Sequence, residues 1–363
     1  MTPYFLYFFF TALLVVKPFS LDQKLEKLLW GFAICFGALF IGLRHEVGGD
    51  WINYIYALTY QRSVSFSDWF DFTRFDVGYQ IVAYLGSSFG LGIYGVNLLC
   101  GLIVMVSLAY FAKRQPYPWL TMLLAIPFFI IGINMGTVRQ GLALSFSLVA
   151  LTTLNNSSRK YIFWIFLAFL FHKSSLAMIL LVFVKKFSIR TLVISLISLL
   201  AIYYLLKDIR AISILLNSYL YDPDYQSEGA IIRILVSSMP AIGLLLFYKN
   251  LNERFPDTWI YLWISIGTMI LFILAPSFST LADRLAYYTI PLQLAIWPRI
   301  IYVQKNQLIK QYFTLSIIFG YLAMLYVWLN FANHSWAWIP YQMIWFGEQS
   351  INAQTLCLNG YCQ

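Results

Sequence analysis

The sequence predicts an all-α, polytopic integral membrane protein, and three observations carry that prediction. Of 363 residues, 61% are hydrophobic and only 11% are charged. A soluble domain carries roughly 25% charged residues, so this chain lacks the means to cover itself with a water-facing surface. The mean hydropathy is +0.73. Apolar runs recur along nearly the whole chain, separated by short basic clusters. The net charge of +9 does not point to nucleic acid. Lys and Arg fall mainly in those clusters, where they orient helices by keeping basic loops on the cytoplasmic side.

In chain order, the first apolar run, 3–16, has no basic segment before it and is followed by Lys17. It does not read as a cleavable signal. It reads as a helix with its N-terminus outside and the loop 17–27 inside. Basic clusters at 113–114, 159–160, 185–190, 249–254 and 299–310 mark the further inner loops. Residues 28–43 lead out and 92–112 return. Residues 117–133 pair with 137–154, 189–206 with 232–248, and 258–275 with 284–298. The last run, 311–329, leads out to a tail without Lys or Arg.

Two stretches break this pattern. Residues 77–90 are apolar but short and punctuated by glycine, which predicts a re-entrant or interfacial helix on the outer side. Residues 161–184 are interrupted by His172 and Lys173. Each half has about 11 residues, roughly 17 Å of helix against a hydrocarbon core of about 30 Å. Either one helix carries His172 at mid-depth, or two short helices meet in a polar cavity; the flanking basic clusters favour the pair. The total is about 12 membrane segments. They form one membrane domain, 1–329, followed by an extracytoplasmic tail, 330–363.

Three arginines, Arg44, Arg139 and Arg284, fall on the predicted outer side, each at a helix end. One such arginine can simply snorkel to headgroups. Three at one level on separate helices suit a diphosphate, because guanidinium forks bind phosphate oxygens in pairs. Arg139 follows Gly136-Thr137, a plausible N-cap, and Arg284 follows Ser279-Thr280. A helix N-terminus beside a guanidinium makes an anion site. Asp50 precedes an amphipathic segment and reads either as its N-cap or as a site carboxylate that orients an arginine or accepts a proton. Gly48 and Gly49 before it permit close backbone approach to a ligand. Glu46 reads as a rim residue. His172 stands with Lys173, Ser174 and Ser175 inside an apolar hairpin, and intramembrane ionisable residues mark functional sites.

Other signals are weaker. Asp222-Pro-Asp224 reads as a turn, and Asp283 as local charge balance for Arg284. No P-loop, dinucleotide fingerprint or metalloprotease motif occurs. Cys35 and Cys100 lie in apolar runs and read as inert packing residues. Asn359-Gly360 is a hairpin signal that places Cys357 opposite Cys362, and a disulfide is expected there in an oxidising compartment.

Five motifs follow one another: R-x3-G-x-D-x3-Y (Arg44, Gly48, Asp50, Tyr54), D-x-G-Y (Asp76, Gly78, Tyr79), V-R-Q-x-L-A (Val138 to Ala143), F-H-x-S-S (Phe171 to Ser175) and D-R-x2-Y-Y (Asp283 to Tyr288). Together they resemble the EpsG family of Wzy-type polysaccharide polymerases of bacterial cell membranes. The resemblance runs from 44 to 288; the aromatic tail beyond 330 departs from it. It implies a GT-C-like architecture and a reaction on the outer leaflet of the inner membrane. Oligosaccharide repeat units carried on a polyprenyl (undecaprenyl) diphosphate would be joined for O-antigen, capsule or exopolysaccharide, with no cofactor and no metal. Arg44, Asp50, Arg139, His172 and Arg284 would then carry the chemistry. Gly48, Tyr54, Asp76, Tyr79, Gln140, Lys173, Ser175, Tyr287 and Tyr288 would contact the lipid-linked donor and acceptor. Membrane lipids, a chain-length regulator and a flippase are the expected partners. The rival readings are a flippase or transporter of the same lipid-linked units, which needs polar residues reaching both faces, and an O-antigen ligase.

Overall fold

A computed structural model describes residues 1–16, 22–63, 76–185 and 229–345. The hairpin limb 189–206, the Asp222–Asp224 turn and the Cys357–Cys362 pair lie outside these residues. Among the described residues the secondary structure is helical, apart from one isolated antiparallel bridge between Arg44 and Met343.

The helices are α1 (Thr2–Val16), α2 (Gln23–Gly42), α3 (Trp51–Ser63), α4 (Val77–Gly86), α5 (Gly92–Ala112), α6 (Pro118–Ala125), α7 (Val138–Leu154), α8 (Ser158–Phe171), α9 (Leu180–Val184), α10 (Ala230–Leu246), α11 (Tyr248–Arg254), α12 (Thr258–Leu274), α13 (Ser279–Ala286), α14 (Ile290–Val303) and α15 (Gln307–Phe331). Among them α2, the kinked unit Val77–Ala112 and α15 are long and apolar enough to cross a membrane. The pair α10–α11, bent by 80°, makes a fourth candidate. The expected count of about 12 segments goes beyond these. α6, α7 and α14 supply much of the core, with Leu123, Leu142 and Leu292 fully buried. Leu13, Leu246, Ile273 and Phe319 stay exposed on the periphery, where only a lipid environment makes such apolar surface favourable.

Several helices are interrupted, and the interruptions shape the site. α6 begins on Pro118, whose fixed φ suits a first turn, and continues as a π-helix over Ile126–Asn134. Pro127 has no N–H and cannot continue the ordinary ladder. The 77–112 unit turns at Gly90 and Gly92, both at positive φ, and α4 folds back so that Gly86 lies against Val96 of α5. The predicted 77–90 segment is therefore a ten-residue helix doubled onto its successor.

Residues 158–185 form a hairpin. Ser157 caps α8 by accepting from the Lys160 amide, and the helix stops at His172, whose backbone is extended. A 3-10 limb, Lys173–Ile179, then returns alongside α8: the Tyr161 hydroxyl donates to the Met178 carbonyl at 2.6 Å. Lys185 reaches the Leu154 and Asn155 carbonyls at 2.6 and 2.9 Å, back at the end where α8 began. Of the two sequence readings, the structure has the pair, with His172 at the tip of the turn.

The bundle thus has two polar ends. One carries Lys113, Arg114, Arg159, Lys160, Lys185 and Arg299. There Arg299 makes paired 2.9 Å bonds to Asp257 and a 3.0 Å bond to Gln115, between the rings of Phe255 and Tyr261. The other end gathers the C-terminus of α2, the start of α7, the His172 turn, α13 and the chain beyond α15.

At that second end the backbone packs closely. Gly48 has φ +108°, and a Cβ there would sit 1.8 Å from the Met135 carbonyl oxygen. The close approach that the Gly-Gly pair permits is to the chain itself. Gly49 is roomier, its nearest neighbour being Trp338 at 3.8 Å. Gly48→Ala is expected to cost about 3 kcal/mol or more through strain and overlap, and Gly49→Ala little. Thermal unfolding of the two purified variants in detergent checks this: equal midpoints would refute the packing argument.

Candidate functional site

The first half of the site forms where α7 begins. Thr137 is the N-cap by position, but its hydroxyl turns back to the Ile133 carbonyl and makes no capping bond. A first-turn amide without a helical partner must be met from elsewhere. The Arg139 amide donates to the Tyr54 hydroxyl at 3.3 Å, and the Arg139 side chain lies across the Tyr54 ring. Its guanidinium meets the Asp76 carboxylate at 3.0 Å. Tyr79 packs against Tyr54 with ring centres 5.4 Å apart. Thus α3, the N-terminal end of α4 and α7 each contribute to it. The Arg139 side chain remains 46% exposed while that of Asp76 is 11% exposed, so the cation faces outward and the carboxylate supports it from beneath. Burial raises the Asp76 carboxyl above the ordinary carboxylate range, and the nearby Arg139 and Lys173 charges oppose that shift.

The second half joins α7, the His172 turn and α13. Gln140 and Arg284 exchange two bonds: the Gln140 amide donates to the Arg284 carbonyl at 2.7 Å, and the Arg284 guanidinium donates to Gln140 Oε1 at 3.1 Å. Arg284 is therefore held by a neutral amide, with no carboxylate partner among the described residues. Ser174 is the hub. Its Oγ lies 2.6 Å from His172 Nδ1, 3.0 Å from the Tyr288 hydroxyl and 3.4 Å from Gln140 Nε2. The Ser174 amide also donates to His172 Nδ1 at 3.3 Å. A ring nitrogen that accepts from a backbone N–H carries no proton, so the neutral imidazole has its hydrogen on Nε2, available as a donor. Lys173 is exposed beside it.

The structure brings Tyr54, Asp76, Tyr79, Arg139, Gln140, His172, Arg284 and Tyr288 into these linked clusters. It places other expected residues elsewhere. Arg44 is 1% exposed. It donates to the Val47 carbonyl at 3.0 Å, to the Ile41 carbonyl, and to Asn97 at 3.5 Å, with Trp51 beneath it. Its fork closes the loop after α2. Asp50 bonds Asn53 at 3.4 Å and makes no direct contact with the three arginines or His172. Ser175 is fully buried, and its neighbour Ser174 makes the bonds to His172, Tyr288 and Gln140. Tyr287 lies under Arg233 rather than in the hydroxyl network.

Two further corrections concern charge. Asp283 does not balance Arg284; it pairs with Arg233 of α10 at 2.5 Å. Arg233 was not singled out in the sequence. The available signal was a cation alone in the first turn of an otherwise apolar helix. Among the described residues no group of three or more His, Cys, Asp or Glu side chains gathers to hold a metal ion.

The model of the EpsG family matches residues 27–343, and the chain belongs to that family. The match extends through the segment 331–343, so the departure expected beyond 330 does not hold for those residues. No curated protein and no solved structure matches the chain. Membership gives the protein a polymerase-type role in polysaccharide biosynthesis within a membrane, on lipid-linked oligosaccharides.

Arg44 and Arg139 should separate by stability. Arg44→Ala leaves buried carbonyls and Asn97 without a donor and is expected to cost about 3 kcal/mol or more. Arg139→Ala removes a half-exposed cation and should leave the thermal midpoint within a few degrees. Size-exclusion profiles and melting of both variants in detergent provide the check; an Arg44→Ala protein as stable as wild type would refute its assigned role.

Proposed function

We propose that this EpsG-family protein joins oligosaccharide repeat units carried on a polyprenyl diphosphate, at the outer leaflet of a bacterial cell membrane. One observation carries the reading. Arg139 and Arg284, from different helices, flank the His172–Ser174–Tyr288 network at the end of the bundle opposite its basic loops. Basic loops favour the cytoplasmic side, which supports a site outside, where nucleotide-activated sugars are not supplied and a lipid-carried donor is.

The chemistry then follows from charge. The bond between the donor's anomeric carbon and its diphosphate breaks, and the same carbon bonds to a hydroxyl oxygen at the non-reducing end of the acceptor unit. The electron pair leaves with the diphosphate, so negative charge grows on the phosphate oxygens. Arg284 can meet that charge without first giving up a carboxylate, because an amide alone orients it. Arg139 keeps a half-exposed guanidinium face while Asp76 fixes its position. Such preorganised donors, aimed where charge develops, supply the largest share of barrier lowering. His172 Nε2–H adds a neutral donor toward a phosphate or sugar oxygen. The acceptor's proton goes to a carboxylate or to the departing diphosphate. Asp76 is the carboxylate within the cluster, and its raised proton affinity suits that task. Tyr54 and Tyr79 offer ring faces for sugars.

The test is a surface-polysaccharide gel from cells lacking this gene and complemented with variants. Wild type should restore a ladder of repeat units, whereas Arg139→Ala and Arg284→Ala should each reduce polymer by about 100-fold or more. Arg139→Lys should recover little, since an ammonium cannot reproduce the planar fork. Lipid-linked units stranded on the inner leaflet of the deletion strain would instead make this a transporter. A normal ladder from either alanine variant would remove that arginine from the site.

A further inference from the structure

The chain beyond α15 does not hang free. Residues 332–345 run back across the site end of the bundle and are stitched to it at several points. The His45 amide donates to the Gln342 carbonyl at 2.9 Å, and the Ile344 amide to the Leu43 carbonyl at 3.0 Å. The Tyr341 hydroxyl donates to the Phe40 carbonyl at 2.8 Å, and the two rings stack 4.4 Å apart. The Gly48 amide donates to the Ala337 carbonyl at 2.7 Å.

Trp338 lies at the centre of this strap and is 8% exposed. Its indole N–H donates to the Ile131 carbonyl at 2.9 Å, a group freed by the π-helical end of α6. Its own carbonyl accepts from the Tyr4 hydroxyl of α1 at 2.7 Å. The edge of the ring fills the space between two glycines. A Cβ at Gly136 would meet it at 2.9 Å, and one at Gly49 at 3.8 Å. Gly136 stands three residues before Arg139, and Gly49 two residues before the helix that carries Tyr54. The same indole therefore packs on the backbone at Gly136 and stands one side-chain carbon away from that at Gly49, the two segments that launch Arg139 and Tyr54, the pair joined by the 3.3 Å amide–hydroxyl bond.

We propose that Trp338 is a positioning residue of the site: wedged between Gly49 and Gly136 and tied to Ile131, it sets the relative placement of Tyr54 and Arg139. It does not reach the reacting atoms. It acts by fixing the two segments between which the arginine is aimed, and a displacement of about 1 Å there is worth up to two orders of magnitude in rate. The inference rests on the polymerase reading above.

Trp338→Phe keeps a ring against the glycines but loses the bond to Ile131. Tyr4→Phe releases the strap from the opposite side through one lost hydroxyl and serves if Trp338→Phe fails to fold. Both are tested on the ladder in the deletion strain, normalised to folded protein in the membrane and accompanied by melting of the purified proteins. Polymer per folded molecule is expected to fall on the order of tenfold, over and above the fall in melting that each carbonyl left without its donor brings. Tyr54→Phe, which removes the acceptor of the Arg139 amide, should fall similarly. Combining it with Trp338→Phe should add little further loss, because both changes act on the one Tyr54–Arg139 alignment. A purely structural strap would lower melting and folded yield, leave polymer per folded molecule unchanged, and refute the proposal. So would losses that multiply in the double variant. An empty wild-type lane is a different result: it removes the polymerase reading, and the proposal with it.

Discussion

The constraint on which this structure depends is that every backbone carbonyl freed by a broken helix must find a donor inside the protein. Hydrocarbon offers none, and an unmet group costs several kcal/mol. Among the described residues the helices break repeatedly, and at several of the breaks a side chain supplies a hydrogen. Arg44 serves the Ile41 and Val47 carbonyls after α2. Asn134 serves Phe129, and Trp338 serves Ile131, where α6 passes into its π-helical end. Tyr161 serves Met178 where the returning limb of the His172 hairpin is not α-helical. Gln140 serves the Arg284 carbonyl near the end of α13. Polar residues that look expensive in an apolar sequence are thus paired with the irregular backbone that makes them necessary.

The same constraint sorts the cations. Arg44 and Arg299 are nearly inaccessible, and their forks are occupied by carbonyls, an amide or a carboxylate. Arg233 is committed to Asp283. They hold loops and helices together at the two ends of the bundle. Arg139 and Arg284 differ: one is half-exposed over a buried carboxylate, the other is oriented by a neutral amide. Charge not consumed by the fold is what a site needs to act on an anionic leaving group, because it can strengthen its bonds as the charge grows. On the proposed function, Arg139 and Arg284 would meet the substrate's charge, while Arg44, Arg233 and Arg299 hold neighbouring segments together.

Long-range pairing explains how a segment near the C-terminus bears on residues near the N-terminus. Tyr4 and Trp338 are bonded, as are Gly48 and Ala337. The backbone of Gly48 lies against Met135 without room for a methyl group. Four distant stretches thus close on one another beside the candidate site, and glycine is required where two main chains meet at that distance.

The membrane class, the basic end and the cluster of unusual polar residues at the other end were legible in the sequence. They follow from composition and from the position of charge relative to apolar runs, which are local properties. The interruption at His172 was legible for the same reason, because a His-Lys pair breaks an apolar run, although the sequence left one helix or two open. The partners were not. Asp283 stands beside Arg284 in the chain yet bonds Arg233, because successive residues on a helix point in different directions and the neighbouring α10 offers its cation on the face that Asp283 shares. Arg44 and Arg139 carry the same side chain at predicted helix ends, and only packing decided that one is spent on backbone carbonyls and the other left facing outward. The sequence by itself determined which residues had to be explained. The tertiary structure decided which of them are structural, since burial and hydrogen-bond partners depend on helices that meet from remote parts of the chain.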